Sequence, residues 1–484
     1  MSSQDIYNWQ YNSNPIYVPD RNNTNILVVI AKPTRVCNAD CSYCSSPPLE
    51  EMGSNWEPEW NFETFKNYFD KVFPYMGNGA YWIWHGGEPM LMGTEFYLKT
   101  YEYAREQMRI HKKLINFSMQ SNMLGYNKKW KHVFESVFFG SISTSFDPDE
   151  FNRTIKGNPA TYSKVFKRVL NEILDDGFRP LVIGVYDEKT APLMNKMYEW
   201  SKSLGDKSFP LRFNYCQPSG RFLETGEAIK PETYAKYLIE LYDQWISDSP
   251  DFIITPLDQM FKKVIGIDIE GHCPWTRKCG GKFIEIEPDG DIYNCSEFAD
   301  YSKKYCFGNL KEKSLPELLN SKPAKQIKRR VTQLPVSCQN CEHFDDCEGG
   351  CARDSALYNN GLYGKFHYCK TWKMVFSRIK ESILLGQADN IIKKYGQNPE
   401  KIKQLVKTNL NNHFHDFTVD WDSIQNNGLN SIFGFGNNLI ESKDNKYSIK
   451  GEFLPHHEDE IIYFEDKNSS INQKLQSINI KIIN

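Results

Sequence analysis

The residues best suited to chemistry are cysteines, and the first three, Cys37, Cys41 and Cys44, form the pattern CxxxCxxC. They follow an apolar run at 25–33, so we expect them on a loop that leaves the carboxyl end of a strand. Three thiolates cannot complete a tetrahedral zinc site, and they leave one iron of a [4Fe–4S] cluster without a protein ligand. The open iron could bind a chelating small molecule. A zinc knuckle with a fourth ligand elsewhere is the alternative.

A second array of cysteines occupies the second half of the chain. Pro288, Asp289 and Gly290 separate two alternating runs, which predicts a hairpin turn that brings Cys295 back towards the preceding loop. CxxC pairs also bind zinc well, so a zinc ribbon is the alternative for this half. The array consists of Cys273, Cys279, Cys295, Cys338, Cys341, Cys347, Cys351 and Cys369.

Composition excludes several classes of protein. The 484 residues carry a net charge of −3, so no general positive field attracts nucleic acid or anionic lipid. The longest aliphatic run, Ile26 to Ala31, is far shorter than the ~20 residues of a membrane span. The first residues lack the features of a signal peptide, which predicts a cytoplasmic protein in a reducing compartment. Metal binding or catalysis then explains thirteen cysteines better than disulfides do.

Strand-like and helix-like segments alternate after the first strand. Five further β-like runs are expected at Ala80–His85, Leu114–Asn122, Phe138–Asp147, Arg179–Tyr186 and Leu211–Gln217. Helical periodicity covers Asn61–Phe73, Thr94–His111, Thr161–Leu174 and Ala191–Leu204. Right-handed crossovers then give six βα units, an incomplete version of the eight-unit barrel, whose ligands bind at the carboxyl ends of the strands.

With Tyr43 directly before the last of its three cysteines, the first motif resembles that of the radical S-adenosylmethionine (SAM) superfamily. The resemblance implies a partial (β/α)6 TIM-like barrel and a [4Fe–4S] cluster whose open iron binds SAM. An injected electron would then break the sulfonium C–S bond and release a 5′-deoxyadenosyl radical.

The same resemblance assigns SAM contacts to the ends of later strands. Glycines in the segment after the second strand would let backbone carbonyls approach the SAM amino group. Met123 stands where the family usually has glycine, and Pro148 replaces another glycine. Cations in the loop after the fourth strand could pair with the SAM carboxylate, or be solvated. The expected cofactor-binding residues are Tyr43, Gly86, Gly87, Glu88, Pro89, Gln120, Asn122, Ser145, Asp147, Arg153 and Lys156.

The second array is similar to the SPASM domain of radical SAM peptide maturases, which has a small β-hairpin and helices. The resemblance implies two auxiliary [4Fe–4S] clusters, three clusters in all, and it also supplies the ligand sets. Cys273, Cys279, Cys295 and Cys351 would hold the first auxiliary cluster. Cys338, Cys341, Cys347 and Cys369 would hold the second. Complete thiolate ligation would restrict both to electron transfer or to fixing the fold.

Two residues are candidates for contact with a substrate. Cys216 lies at the end of the sixth predicted strand, where it either touches substrate or fills the core. Anaerobic sulfatase maturases place an aspartate, a proposed base, directly after the cysteine that corresponds to Cys295. Here Ser296 follows, and Glu297 comes next as the alternative base.

The expected protein is a radical SAM peptide maturase that forms an oxidative cross-link, C–C or thioether, in a ribosomal precursor peptide. Anaerobic sulfatase (formylglycine) maturation, peptide epimerisation and small-molecule dehydrogenation are enzyme alternatives, and a zinc or Fe–S interaction scaffold is the alternative outside enzymes. Expected partners are a peptide or protein substrate and an electron donor such as flavodoxin or ferredoxin. The expected divisions are an N-terminal arm at 1–24, the barrel at 25–265, the SPASM domain at 266–384 and an extension at 385–484, either a docking surface for the precursor or a variable cap.

Overall fold

The computed structural model describes most of the chain between Asn25 and Asn411. The described ranges are 25–45, 60–149, 151–222, 228–267, 269, 273, 279–339, 341–358 and 361–411, together with the backbone of 440–443, 446–449, 462–465 and 480–483. The predicted N-terminal arm and most of the predicted C-terminal extension beyond residue 411 lie outside these residues.

Ten strands form one sheet in the order β10-β9-β8-β1-β2-β3-β4-β5-β6-β7. Neighbouring strands from β1 to β7 are parallel, and β8 also pairs in parallel with β1. The strands are β1 (Ile26–Ala31), β2 (Met76–Trp84), β3 (Ile115–Gln120), β4 (Ile142–Ser145), β5 (Leu181–Tyr186), β6 (Leu211–Tyr215), β7 (Ile254–Thr255), β8 (Phe283–Ile286), β9 (Asp291–Tyr293) and β10 (Gly308–Asn309).

Helices follow the parallel strands as crossovers. They are α1 (Phe62–Val72), α2 (Thr94–His111), α3 (Lys128–Ser136), α4 (Pro159–Asp175), α5 (Met194–Ser203), α6 (Pro231–Asp248) and α7 (Leu257–Val264). Three of them begin at an asparagine whose side chain accepts a backbone hydrogen bond from the first turn, namely Asn61, Asn127 and Asn158. The mixed α/β fold with a mainly parallel sheet confirms the predicted fold class, and each predicted strand overlaps an observed one.

The cysteine-rich region adds a hairpin and short helices. β8 and β9 are antiparallel, and Gly290 in their turn has φ +93, as the hairpin prediction requires. Val28 to Ala31 of β1 lie opposite Phe283 to Ile286 of β8. The helices are α8 (Ser296–Ala299), α9 (Leu315–Leu319), α10 (Lys322–Lys328), α11 (Val336–Gln339), α12 (Phe344–Cys347) and α13 (Ala352–Leu357). The hairpin therefore extends the barrel sheet, which the sequence analysis did not predict.

Two large hydrophobic clusters form most of the core in the described part of the chain. One joins β1 to β4 and their helices to the hairpin, and the other joins β5 to β7 to the helices that follow the last cysteine. Those helices are α14 (Cys369–Leu384), α15 (Asp389–Lys394) and α16 (Pro399–Asn411). α14 packs along α6, so the end of the cysteine-rich region covers one flank of the barrel.

The described tail segments are short strands. β11 (Ile440–Lys443) pairs with β12 (Lys446–Ile449), and β13 (Ile462–Glu465) pairs with β14 (Ile480–Ile483). Across the residues that the structure describes, no helix combines the length and apolarity needed to cross a bilayer.

Candidate active site

A cavity of about 380 Å³ is lined by residues that directly follow β1, β2, β3 and β6, which is the ligand-binding end of a parallel barrel. Predicted site residues contribute much of its wall: Cys37, Cys41, Tyr43, Cys44, Gly86, Gly87, Gln120, Asn122, Ser145, Arg153, Cys216, Cys273, Glu297 and Cys351. The structure thus brings the first cysteine motif and two cysteines of the second array to one cavity. Glu88, Pro89, Asp147 and Lys156 are not part of its lining.

The three N-terminal thiols lie together on the loop after β1. The Arg221 N–H donates to the Cys44 carbonyl over 3.1 Å, which fixes the end of this loop. Burial raises the pKa of Cys37 to about 12, and the nearby Cys41 and Cys44 thiols act in the same direction. A bound cation would have to stabilise the thiolate forms, as metal binding to cysteine does.

The glycines after β2 pack against the segment that precedes Cys37. A Cβ atom on Gly86 would lie 2.3 Å from the Thr34 carbonyl oxygen, and one on Gly87 would lie 2.2 Å from that of Val36. Gly86 also has φ +118, where a side chain is strained. This close packing is a steric reason for glycine that is separate from the predicted approach of carbonyl groups to the SAM amino group.

Glu88 is a buried connector between the ends of β2 and β3. Its carboxylate accepts hydrogen bonds from the Met90 N–H at 2.9 Å, the Ser121 hydroxyl at 2.6 Å and the Asn122 N–H at 2.8 Å. Burial raises its pKa, and the three hydrogen bonds act in the opposite direction. Glu88 therefore fixes the backbone that presents Asn122 to the cavity.

Gln120 and Ser145 form a second polar link on the cavity wall. The Gln120 amide nitrogen donates to the Ser145 hydroxyl over 2.8 Å, and the Ser143 hydroxyl donates to the Gln120 amide oxygen. These contacts orient polar side chains from β3 and β4 towards one region of the cavity wall.

Tyr43, Asp147 and Arg153 form a compact group beside the first cysteine motif. The Tyr43 hydroxyl donates to the Asp147 carboxylate, and the Arg153 Nε donates to the same oxygen over 2.8 Å. The other carboxylate oxygen of Asp147 accepts the Val185 N–H over 2.7 Å. The guanidinium of Arg153 also lies 5.3 Å from the Tyr43 ring centroid. Asp147 therefore positions Tyr43 and Arg153, while Lys156 is exposed and is not brought to the cavity.

Four thiols of the second array lie close together. The pKa of Cys295 is raised by burial and then by the nearby Cys273, with Cys279 contributing less. The pKa of Cys351 is raised by burial and, among other groups, by Cys273 and Cys295. These are the members of the predicted first auxiliary set, and two of them line the cavity.

The other four thiols form a separate group. Burial raises the pKa of Cys338 to about 11, and Cys369 and Cys341 act in the same direction. Cys347 interacts with the same three thiols. By contrast, the thiols that act on Cys295 and Cys351 belong to the preceding group. None of the four lines the cavity.

The donor chemistry of these groups fits iron–sulfur clusters. All eleven predicted ligands are thiols, in groups of three, four and four, and cysteine thiolates are the usual ligands of [4Fe–4S] clusters. In the described part of the chain, no three Cys, His, Asp or Glu side chains form a group that could hold a single metal ion.

The far wall of the cavity carries several residues that the sequence analysis did not identify. The buried Asp354 carboxylate accepts hydrogen bonds from the Tyr215 hydroxyl and from Arg353 Nη1, the latter at 3.3 Å. Burial raises the pKa of Asp354 to about 6, and Arg353 opposes this shift. The only signal for Asp354 in the sequence was its position three residues after Cys351. Arg212 and Asn214 of β6 also line this wall.

Cys216 and the predicted base show different environments. Cys216 is 3% exposed, and burial raises its pKa well above the ordinary value of a thiol. Glu297 lines the cavity with a half-exposed side chain, and its carbonyl accepts from Arg353 Nε over 3.0 Å. The Ser296 hydroxyl is buried without a hydrogen-bond partner among the described residues.

A buried ion network ties the first motif to the hairpin region. Lys32 Nζ lies 2.8 Å from Glu285 and 3.1 Å from Glu287. Arg35 binds Glu287 and, through Nη1 at 2.9 Å, Asp300. Burial and the neighbouring carboxylates raise the pKa of Glu285, whereas the lysine and arginine lower the pKa of Glu287 to about 2. Glu285 is therefore the carboxyl of the network that holds a proton most readily.

Comparison with known protein families identifies one domain. A model of the SPASM iron–sulfur cluster-binding domain matches residues 273–342, which contain five of the eight cysteines in the second array.

Curated relatives match most of the chain. The cysteine-type anaerobic sulfatase-maturating enzyme of Clostridium perfringens is 26% identical over 383 residues, which cover 72% of this chain and 95% of that enzyme. The serine-type anaerobic sulfatase-maturating enzyme of Klebsiella aerogenes is 25% identical over 344 residues, which cover 68% of this chain and 81% of that enzyme.

A solved structure shares the fold. Native anSMEcpe with bound AdoMet superposes with a TM-score of 0.64 at 24% sequence identity, covering 74% of this chain and 99% of that one. The alternation of strands and helices therefore belongs to a known architecture.

Proposed function

The chain is a radical SAM enzyme with a SPASM domain, and from this premise we propose that it is a peptide maturase that removes two electrons from a residue of its substrate. The proposed cofactors are SAM and three [4Fe–4S] clusters. The N-terminal cluster would be held by Cys37, Cys41 and Cys44. SAM bound at its open iron would supply the hydrogen-abstracting radical when an electron arrives.

One observation carries the proposal. Thiols of the N-terminal group and thiols of the second group, Cys273 and Cys351, line the same cavity. A substrate residue in this cavity would lie between the site where the radical forms and a cluster that can accept an electron. A scaffold protein without turnover has no need for this arrangement.

The chain's own residues prepare the site in three ways. Glu88 fixes the backbone of Asn122 at the cavity wall, and Gly87 lets the strand end pack against the cysteine loop. Asp147 fixes Arg153, whose guanidinium retains further donors for a carboxylate group. Such charge-assisted hydrogen bonds are the contacts that a SAM carboxylate would need.

A peptide substrate is supported by the relatives. The solved structures that share this fold include native anSMEcpe with a bound Cp18Cys peptide, at a TM-score of 0.62 and 23% identity. They also include SuiB of Streptococcus suis bound to the precursor peptide SuiA, at a TM-score of 0.52 and 14% identity. We infer a peptide or protein substrate here, with a flavodoxin or ferredoxin as the electron donor.

An oxidative cross-link is the product that we propose first. Formylglycine formation is the second candidate, because the curated relatives that cover most of this chain are sulfatase-maturating enzymes. Ser296 weakens this alternative, since a serine hydroxyl is a poor base and stands where those enzymes place an aspartate. Glu297 and Asp354 are the carboxyl groups at the cavity wall that could take a proton from the substrate.

The first experiment tests SAM cleavage. Anaerobically reconstituted protein is incubated with SAM and dithionite, and 5′-deoxyadenosine is measured by liquid chromatography. We expect the wild type to release it and Cys41→Ala to lose this activity. Cys306→Ala is the matched control, because Cys306 belongs to none of the three thiol groups, and it should behave as the wild type. Cleavage by Cys41→Ala would contradict the assignment.

The second experiment identifies the product. Short peptides encoded beside the gene are incubated with the active enzyme, and their masses are measured before and after reaction. A cross-link or a dehydrogenation loses two hydrogens, whereas epimerisation leaves the mass unchanged. Fragmentation then separates a cross-link, which resists cleavage between the joined residues, from a dehydrogenated residue. An unchanged mass with an inverted stereocentre would refute the oxidative proposal.

A further inference from the structure

Arg330 is a buried guanidinium at the junction of the two thiol groups of the second array. It is 1% exposed and lies in a short turn, Arg329–Val331, that links α10 to the segment before Cys338. Nη2 donates to the Gly349 carbonyl over 2.7 Å and to the Ser355 hydroxyl over 3.2 Å. Nη1 donates to the carbonyls of Leu362 and Gly364.

These acceptors belong to the segments that carry the cysteines. Gly349 lies between Cys347 and Cys351, which are in different thiol groups, and Gly364 lies five positions before Cys369. Ser355 is on α13 and also donates to the Gly364 carbonyl over 2.9 Å. Arg330 therefore holds the chain segments of both groups in one arrangement.

The partners of Arg330 are all uncharged. Among the described residues, it forms no ion pair with a carboxylate, and its Nε has no hydrogen-bond partner. The ionisable groups that act on it are the thiols Cys351, Cys338, Cys279 and Cys347, two from each group. Burial of a cation is costly unless an anion lies nearby, so the anionic partner must come from the thiol groups themselves.

The proposed clusters would supply that negative charge. A [4Fe–4S] cluster with four thiolate ligands is an anion, and one-electron reduction makes it more negative. A fixed cation in a low-dielectric interior stabilises the more negative state most, because Coulomb energies there are large. We propose that Arg330 is the shared counter-cation of both auxiliary clusters and raises the reduction potential of each. This inference rests on the proposed function, which supplies the clusters.

The charge of Arg330 would favour electron transfer from the substrate radical to the auxiliary clusters. A substrate radical passes its electron to an auxiliary cluster more readily when the reduced cluster is stabilised. A single guanidinium between the two groups would favour both the first transfer and passage to the second cluster. Arg330 is thus a positioning residue that acts through the clusters without touching the substrate.

The test measures reduction potentials rather than activity. The Cys37→Ala/Cys41→Ala/Cys44→Ala background removes the N-terminal cluster, so that only the auxiliary clusters are titrated by electron paramagnetic resonance. Arg330→Met removes the charge and keeps a side chain of similar length. We expect the ratio of reduced to oxidised cluster at a fixed potential to fall at least tenfold for both clusters, which is 59 mV for a one-electron couple.

Two further variants separate charge from structure. Arg330→Lys keeps the charge and loses part of the hydrogen bonding, so the ratio of reduced to oxidised cluster at that potential should stay within threefold of the background. Arg329→Met removes the adjacent arginine and should change this ratio by no more than threefold for either cluster. The proposal is overturned if Arg330→Met leaves both potentials unchanged, or if Arg330→Lys lowers them as much as Arg330→Met does.

Iron and sulfide analysis of the same samples distinguishes the absence of the auxiliary clusters from the absence of an effect of the Arg330 charge. A cysteine-triple background that binds no iron would refute the proposed auxiliary clusters themselves. If that background loads normally and Arg330→Met does not, Arg330→Lys decides the question. A lysine variant with lowered potentials then refutes the role of the charge, and one with retained potentials supports it.

Discussion

Arg35 and Glu287 form a buried bidentate ion pair that joins the segment before Cys37 to the turn of the β8–β9 hairpin. Arg35 Nε lies 2.8 Å from one carboxylate oxygen, and Nη2 lies 2.5 Å from the other. Both side chains are 1% exposed. This contact between residues 252 positions apart therefore helps to position the first cysteine loop against the start of the second array.

Removal of the Glu287 carboxylate should lower the free energy of unfolding. Glu287→Gln removes the carboxylate that Arg35 and Lys32 share and leaves Asp300 as the anionic partner of Arg35. Removing one member of a buried ion pair typically costs about 3–5 kcal/mol. We expect a lower thermal unfolding midpoint in anaerobic calorimetry. Glu106→Gln is the control, because the Arg109–Glu106 pair is exposed on α2 and should not change the midpoint measurably. Equal midpoints for Glu287→Gln and wild type would show that the buried pair is not stabilising.

Gly87→Ala should damage the N-terminal cluster site. The new Cβ would lie 2.2 Å from the Val36 carbonyl oxygen and 2.5 Å from that of Arg35, so the cysteine loop must move. We expect SAM-dependent changes in the cluster's electron paramagnetic resonance spectrum to be lost while the auxiliary signals remain. Gly125→Ala is the matched control, since its nearest neighbour would be Met90 Cε at 4.0 Å. A wild-type response from Gly87→Ala would contradict the steric role.

The interleaved thiol groups predict an unusual result for paired substitutions. Cys338 and Cys347 belong to one group, so changing both to alanine should remove one cluster and leave about 8 irons of the proposed 12. Cys347 and Cys351 are only four positions apart but belong to different groups, so changing both should leave about 4 irons. Anaerobic iron analysis measures the difference. Equal iron contents in the two double variants would show that the cysteines are assigned to the wrong groups.

His85 predicts a specific dependence of stability on pH. Burial and the nearby Lys32 lower the pKa of His85 to about 4, from an ordinary value of about 6.5. Between these values the unfolded chain binds a proton that the folded protein does not, so the free energy of unfolding falls as pH falls from about 6.5 to about 4. His85→Gln should have a shallower slope in thermal unfolding over this interval. Parallel slopes would contradict a half-buried histidine that stays neutral in the folded protein.

Much of this architecture could be predicted from local patterns. Apolar runs that alternate with helical periodicity indicated the βα units, and thiol spacing indicated two arrays of cysteines. The expected turn at Gly290 is present, since a tight hairpin selects glycine at that position. These features depend on residues close in sequence, where spacing fixes geometry.

The remaining features depend on contacts between distant segments. The parallel pairing of Val28 with Phe283 has no local signal, because either strand could pair elsewhere. The role of Asp354 depends on a hydroxyl 139 positions away. Lys156 was predicted beside Arg153 from proximity in sequence, but its exposed position keeps it away from the cavity.

The pairing of β8 with β1 also protects the protein from self-association. An isolated barrel that ended before β8 would expose a row of unpaired amide and carbonyl groups along β1, which is a template for a strand of another molecule. In the described sheet the outermost strands, β10 and β7, have only two residues each. Such short edges expose few backbone groups that could pair with a strand of another molecule. The cysteine-rich region thus covers the edge of β1 with a strand of the same chain.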